Sequence, residues 1–250
     1  MITVIILTKN EEQNIEKRIQ SVKWCDEIIV VDDNSSDKTI EIAKTCKTTI
    51  YQRSLNNNFS AQRNFGLSKA KNEWVLFIDS DEIVSDALAY EISNAVQLKD
   101  QDLGPFNGFY IKRLDFMWGK ELKYGETGSI KLLRLAKKDA GVWVGMVHEK
   151  WKIDGPVGKL INPLKHFPHK NITKFLEEIN FYTDIRSKEL KSKNIQVFFW
   201  SIFLYPFGKF LVNYIFKKGF MDGAQGLVLA IIMSFHSFLV RGKLWLENEK

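Results

Sequence analysis

Four runs of apolar and β-favouring residues punctuate the first 80 positions: Ile2 to Leu7, Glu27 to Val31, Thr48 to Tyr51 and Trp74 to Ile78. The first, second and fourth lack polar alternation, which is the habit of strands covered on both faces. Between them the spacing turns helical. Ile15, Ile19 and Val22 recur every three to four residues, Thr39 to Cys46 turns Ile40 and Ala43 inward, and residues 59 to 70 lead into the fourth run. Asn10 with Gln13 three residues on has the spacing of a capping box, which predicts a helix start there. The order β-α-β-α-β-α-β predicts an α/β fold, a doubly wound and mostly parallel sheet with right-handed crossovers.

After a helix over Asp86 to Leu98 and a turn region over Asp100 to Gly108, the pattern changes to short strands. Phe109 to Phe116, Ser129 to Leu135 and Ala140 to Gly145 are the candidates, split by glycine-containing turns. Met117 to Gly128 reads either as a mobile acceptor loop or as a plain solvent loop. Phe175, Leu176, Ile179, Tyr182 and Ile185 mark an amphipathic helix over 172 to 190. From Ile195 to Phe216 the chain is almost wholly apolar and aromatic, interrupted by Lys209 and broken at Pro206-Phe207-Gly208. Gly226 to Val240 is apolar again. Two domains are expected: 1–170, the α/β domain, and 171–250, a helical, membrane-associating tail.

Strands one, two and four each finish in polar residues. Thr8 to Asn10, Asp32 to Asp33 and Asp79 to Asp81 should therefore converge at one sheet edge, where open α/β sheets bind ligands. Two carboxylates one residue apart can share a hard cation with substrate phosphates. No Gly-x-Gly-x-x-Gly follows the first strand, and no P-loop sequence occurs. Dinucleotide redox chemistry and P-loop hydrolysis are thereby disfavoured, and phosphate would be held by metal and cations.

Composition adds two points. The formal charge of +6 suits anionic partners, although solubility alone would explain it, and no basic-aromatic stripe supports nucleic acid. Cys25 and Cys46 form no Cys-x-x-Cys pair, which fits a reducing compartment. The chain opens on a strand without a charged leader and apolar core, so no secretion signal is expected.

Later in the chain, His148 and Glu149 stand side by side, and an alcohol nucleophile needs a base. His166 with an aspartate suits a divalent ion. A packing role for either histidine stays open.

Thr8-Lys9-Asn10-Glu11-Glu12, Val31-Asp32-Asp33-Asn34-Ser35-Ser36-Asp37, Ala61-Gln62-Arg63-Asn64 and Ile78-Asp79-Ser80-Asp81 together resemble the four ordered signatures of family 2 glycosyltransferases, whose fold is called GT-A. The likeness covers about the first 100 residues closely and the next 70 loosely. His148-Glu149 and Lys218 to Gly223 are similar to the branch that includes lipopolysaccharide-core β-1,4-glucosyltransferases. The resemblance implies that Thr8, Asn10 and Asp33 hold base and ribose, that Arg63 lies near the base or diphosphate, and that Asp79 contacts ribose. It implies Mg²⁺ or Mn²⁺ on Asp81, and His166, by its chemistry rather than by the resemblance, is the candidate for a further ligand. The family's usual Glu-Asp pair is missing from the second half, so Glu149 is taken as the base.

The expected activity is inverting transfer of a hexose from a UDP-sugar to a lipid-linked or lipopolysaccharide-core glycan, at the cytosolic face of a membrane. Two rivals stand beside it, a polyprenyl-phosphate glycosyltransferase and a silent membrane-associated scaffold of the same fold. For the tail, a transmembrane hairpin, in-plane helices and a buried helical layer all remain open.

Overall fold

The structure, a computed structural model, describes residues 1–97, 106–128, 130–146, 149–169 and 171–248. The chain divides into two compact units. One is Met1–Arg113 with Lys131–His166, the other Leu114–Ile130 with Phe167–Lys250.

The first unit begins β1 (Ile2–Thr8), α1 (Ile15–Ser21), β2 (Glu27–Asp32), α2 (Thr39–Thr45), β3 (Thr49–Gln52), α3 (Phe59–Lys69) and β4 (Trp74–Asp79). It continues with β5 (Glu82–Ile83), α4 (Asp86–Gln97) and β6 (Gly108–Met117), which runs on into the second unit. There β7 (Lys120–Leu122) pairs back on it. The first unit resumes with β8 (Lys131–Lys137), β9 (Gly141–Val144), β10 (Lys150–Ile153), β11 (Val157–Lys159) and β12 (Leu164–His166). The sheet order is β3-β2-β1-β4-β8-β6-β12-β5. The first four strands are parallel, as the alternation of strands and helices predicts. At β8 the direction reverses, and it pairs antiparallel with β4.

The strand pleat sorts side chains between two cores. Val4, Ile6, Leu76 and Ile78 face Ile15, Ile19, Leu88 and Ile92. Ile5, Leu7, Val75 and Phe77 face Leu67, Trp143 and Trp151. Phe77 meets both tryptophans edge-on, with ring centroids 5.1 Å apart in each case. Gly66 lets α3 lie close on the sheet. A Cβ there would come within 2.8 Å of Ile5 Cγ2 and 3.2 Å of Val31 Cγ2.

Asn10 does not cap a helix. It takes a left-handed conformation (φ 53°), and its side-chain oxygen accepts the Ser36 amide at 2.8 Å. The first helix starts at Ile15 instead, without a side-chain cap. The asparagine ties two loops at the sheet edge together, a task that takes the place of capping.

The second unit carries α5 (Ile172–Ser192), α6 (Ser201–Leu211) and α7 (Gly223–Asn248). Asn171 caps α5 by accepting the Lys174 amide at 2.8 Å. Met117, Leu122, Phe175, Ile179, Leu229 and Ile232 form its core. On α5 the buried line runs Phe175, Ile179, Thr183, Ser187. Leu176 of the expected apolar stripe is exposed, one position off that line. Pro206 does not break α6, which continues to Leu211 and into a π turn over Val212–Phe216. The segment after β7 is fastened rather than loose. The Asp222 carboxylate accepts the amides of Lys123 and Tyr124, and Glu126 pairs with Lys209 at 2.8 Å. Gly226 permits this knot, since a Cβ would lie 2.0 Å from the Gly219 carbonyl oxygen.

Candidate active site

Parallel strands fix the site by direction. Thr8, Asp32 and Asp79 are the last residues of β1, β2 and β4, and β1 lies between the other two. All three therefore reach the same edge, the carboxyl edge that the strand order predicts.

The centre of that edge is a chain of alternating charges. Asp79 receives Arg63 Nη2 on Oδ1 at 2.8 Å and Arg134 Nη2 on Oδ2. Arg63 donates through Nε to Glu149 Oε1 at 2.7 Å. Arg134 also reaches Glu82 Oε1 at 3.1 Å, and Glu82 Oε2 accepts the Asp79 amide at 2.8 Å. The sequence Glu82–Arg134–Asp79–Arg63–Glu149 thus joins four segments of the chain. Arg63, Arg134 and Glu82 are almost fully enclosed, at 3, 5 and 0% exposure. The guanidinium carbon of Arg63 also lies 4.7 Å from the centroid of the Trp143 ring.

The charges tune one another. Burial would raise the Asp79 carboxyl, but Arg134 and Arg63 outweigh it and hold it well below the usual carboxylate range. For Glu82, burial wins over Arg134 and pushes the carboxyl up. Arg134 loses to burial but gains more from Asp79 and Glu82, and its pKa rises.

Asp81 stands apart from this chain. Its Oδ2 lies 3.1 Å from His166 Nε2, and its Oδ1 is buried with no hydrogen-bond partner. Burial pushes the carboxyl up, and the His166 ring more than reverses this. Arg18 braces the turn between the two aspartates by donating from Nε to the Ser80 carbonyl at 2.9 Å. Both Asp79 oxygens accept from arginines, so of the two aspartates Asp81 carries the unpartnered oxygen.

The β1 and β2 loops complete the edge. Asp33 accepts Lys9 Nζ at 2.7 Å and the Leu55 amide at 2.8 Å. Asn10 donates its amide to Ser35 Oγ at 2.8 Å. The Thr8 hydroxyl is buried without a partner.

All eight residues singled out in the sequence lie in this unit. Arg63, Asp79 and Glu149 join in one network, Asp81 and His166 form a pair, and Thr8, Asn10 and Asp33 lie at the β1 and β2 ends. His148 lies outside the described residues. Arg134 and Glu82 were not foreseen, although each left a trace. Glu82 directly follows Asp81, and Arg134 is a charge inside the otherwise apolar centre of Leu132-Leu133-Arg134-Leu135-Ala136.

A divalent ion fits one feature well. Asp81 offers an unpartnered buried carboxylate oxygen beside an imidazole, a mixed donor pair suited to Mn²⁺ or Mg²⁺. No cluster of three His, Cys, Asp or Glu occurs among the described residues, so other ligands would come from substrate or water.

A parallel α/β sheet with acids and arginines at its carboxyl edge is the layout of a GT-A transferase. The profile of glycosyl transferase family 2 matches residues 3–145, and the chain belongs to that family. A glycosyltransferase of Rickettsia typhi is 30% identical over 254 residues, covering 97% of this chain and 86% of the relative. The lipopolysaccharide core biosynthesis glycosyltransferase LpsC of Rhizobium meliloti is 23% identical and covers 98% and 92% of the two chains. Among solved structures, Staphylococcus aureus TarS 1–349 in complex with UDP-GlcNAc aligns with a TM-score of 0.49 at 15% identity, over 95% of this chain and 81% of that one. Glucosyl-3-phosphoglycerate synthase of Mycobacterium tuberculosis, in complex with Mn²⁺, UDP and glucosyl-3-phosphoglycerate, aligns with a TM-score of 0.37 at 23% identity, over 48% of this chain and 44% of that one.

Proposed function

We propose that the chain is a metal-dependent, inverting glycosyltransferase that moves a hexose from a UDP-sugar to a lipid-linked or lipopolysaccharide-core glycan at the cytosolic face of a membrane. One observation carries the donor part of this reading. Thr8 Oγ1, Arg63 Nη1, Asp81 Oδ1 and Arg134 Nε are all buried and unpartnered, and all belong to residues at or beside the carboxyl edge. Orphaned buried polar atoms are rare, because each costs about 1–3 kcal/mol. Four in one site support a polar ligand that completes them.

The roles follow from the chemistry. Arg63 and Arg134 have spare guanidinium nitrogens for the charge that develops on a departing diphosphate. Asp79 holds the two arginines in place. Asp81 and His166 would hold the divalent ion, which when bound supplies charge stabilisation to the leaving group. Thr8, Asn10 and Asp33 border the space for base and ribose. Glu149, oriented by Arg63, takes the proton from the acceptor hydroxyl as its oxygen forms the new bond to the anomeric carbon. The bond to the diphosphate breaks in the same displacement, so that carbon inverts. The lipid part of the acceptor rests on the exposed aromatic tail and on the similarity to LpsC.

The test is transfer of labelled hexose from UDP-hexoses to extracted envelope glycolipids. Wild type should label a lipid-linked glycan, and Glu149→Gln should lower the rate about 10²–10⁴-fold, the usual worth of a general base. A rate within a factor of two of wild type would remove Glu149 as the base and favour an acceptor that is already ionised, as a polyprenyl phosphate is.

A further inference from the structure

We infer that α6 and α7 lie in the plane of an anionic phospholipid bilayer, with their aromatic faces in its surface, and do not cross it. This deepens the membrane part of the proposal above and rests on it. By length and composition the segment Gly219–Asn248 is the one candidate span among the described residues. Its surroundings argue against spanning. The amphipathic helix α5 accompanies α7 along most of its course. Phe175 and Ile179 pack with Leu229 and Ile232 near its start, Lys243 Nζ binds Asp184 Oδ1 at 2.6 Å and Asn180 Oδ1 at 2.8 Å, and Lys191 Nζ binds the Glu247 carbonyl at 2.8 Å. The outward face of α5 carries charges such as the Lys174–Glu177 pair, each side chain 60% exposed. A membrane crossed by α7 would have to take in α5 with these charges, which hydrocarbon does not solvate.

The other side of α7 is covered by α6. Ser234 Oγ donates to the Pro206 carbonyl at 2.7 Å, and Arg241 stacks 3.8 Å from the Tyr205 ring centroid. Past these contacts α6 turns large apolar side chains outward. Trp200, Phe203, Leu204 and Phe207 are 71, 56, 65 and 63% exposed. Helix α7 adds its own outward stripe of Leu227, Ile231, Phe235 and Phe238 at helical spacing. Monomeric soluble surfaces seldom carry such a patch unless it binds something.

Charge selects the occupant. Exposed lysines flank α6 in the chain: Lys193, paired with Glu189 at 2.5 Å, before it, and Lys217 and Lys218 after it, between the exposed Phe216 and Phe220. Aromatics at headgroup depth flanked by lysines match an anionic leaflet. A second copy fits less well. A two-fold pairing of antiparallel α6 helices would set the lysines of one end against those of the other.

The full chain would be floated with vesicles of phosphatidylcholine alone or with one quarter phosphatidylglycerol. Lys218→Cys and Asn248→Cys, one on each side of α7, would be probed in the bound state with an impermeant maleimide, and the labelled peptides located by mass. Binding should need phosphatidylglycerol. It should fall about fivefold for each of Lys217→Gln and Lys218→Gln, and more than about tenfold in Phe203→Ser with Phe207→Ser. Both cysteines should label from outside. Labelling of Cys at position 218 or 248 only after detergent would show a span and overturn the inference. So would failure to float, or a dimer in solution that is abolished by the phenylalanine pair. Calorimetry with UDP on the same samples separates the two readings, since intact nucleotide binding without flotation sinks the membrane inference alone.

Discussion

The two units invert each other's use of burial. In the sheet unit the unusual residues are charges turned inward, Arg63, Arg134 and Glu82, paired at one edge. In the helical unit they are large aromatics turned outward, such as Trp200 and Phe207. Neither arrangement helps a chain fold. Buried ion pairs rarely outweigh their desolvation, and exposed aromatics forgo the hydrophobic gain. On the reading proposed above, each region gives up stability for something outside the chain, a polyanionic small molecule in one case and a lipid surface in the other.

Substitutions can break that contrast. The largest effect is expected from Arg134→Met, which strips Glu82 of its arginine and leaves Asp79 with Arg63 alone. Loss of a buried partner costs about 3–5 kcal/mol, read as a lower midpoint in urea unfolding. Donor binding should weaken in the same variant, whereas Arg134→Lys should restore part of the stability and less of the binding, since lysine has no fork.

Acid provides the second test. The folded carboxyls of Asp79 and Asp81 lie below their ordinary value of 3.8, so their contribution is complete above that value and is lost as pH falls through the lower folded values. Glu82, raised in the folded state, takes up its proton earlier and offsets part of the loss. Without Arg134 the Asp79 carboxyl rises, so acid unfolding of Arg134→Met should begin at higher pH than in wild type. An unchanged acid midpoint would show that Arg134 does not set these carboxyls.

Much of the sheet edge was legible before any coordinates. Unbroken apolar runs ending in Thr8, Asp32 and Asp79 give parallel strands and a common edge, because direction alone brings the ends together. The start of α1 was not, since Asn10 is committed to Ser36, 26 residues away, and a local capping rule sees only the next turn. Arg134 and Glu82 escaped for the same reason. Their partnership spans 52 residues and depends on an antiparallel strand whose place in the sheet no spacing reveals. In the tail the apolar runs predicted the helices, while part of the contact of α5 with α7 lies in single polar side chains such as Lys243, which no apolar spacing reveals.

A third variant, Gly66→Ala, tests how α3 is seated. Its Cβ would press on the branched Ile5 and Val31, and overpacking of that kind costs about 1–3 kcal/mol. Arg63 lies one turn earlier on the same helix, so donor affinity should drop with stability. The smallest effect is expected from Phe203→Ser. A change at an exposed position stays within about 0.5 kcal/mol in urea unfolding, while vesicle binding falls. A loss of 2 kcal/mol or more would mean that Phe203 is packed, and would erase the contrast between the two units.

The central claim is that the acid-and-arginine edge is a metal-dependent nucleotide-sugar site. Calorimetry of UDP and UDP-glucose, with and without Mn²⁺, for wild type and Asp81→Ala tests it most directly. Binding by wild type that needs Mn²⁺ and disappears in the variant is the predicted result. A folded wild type that binds neither nucleotide, or binds both equally well without metal and without Asp81, would contradict it.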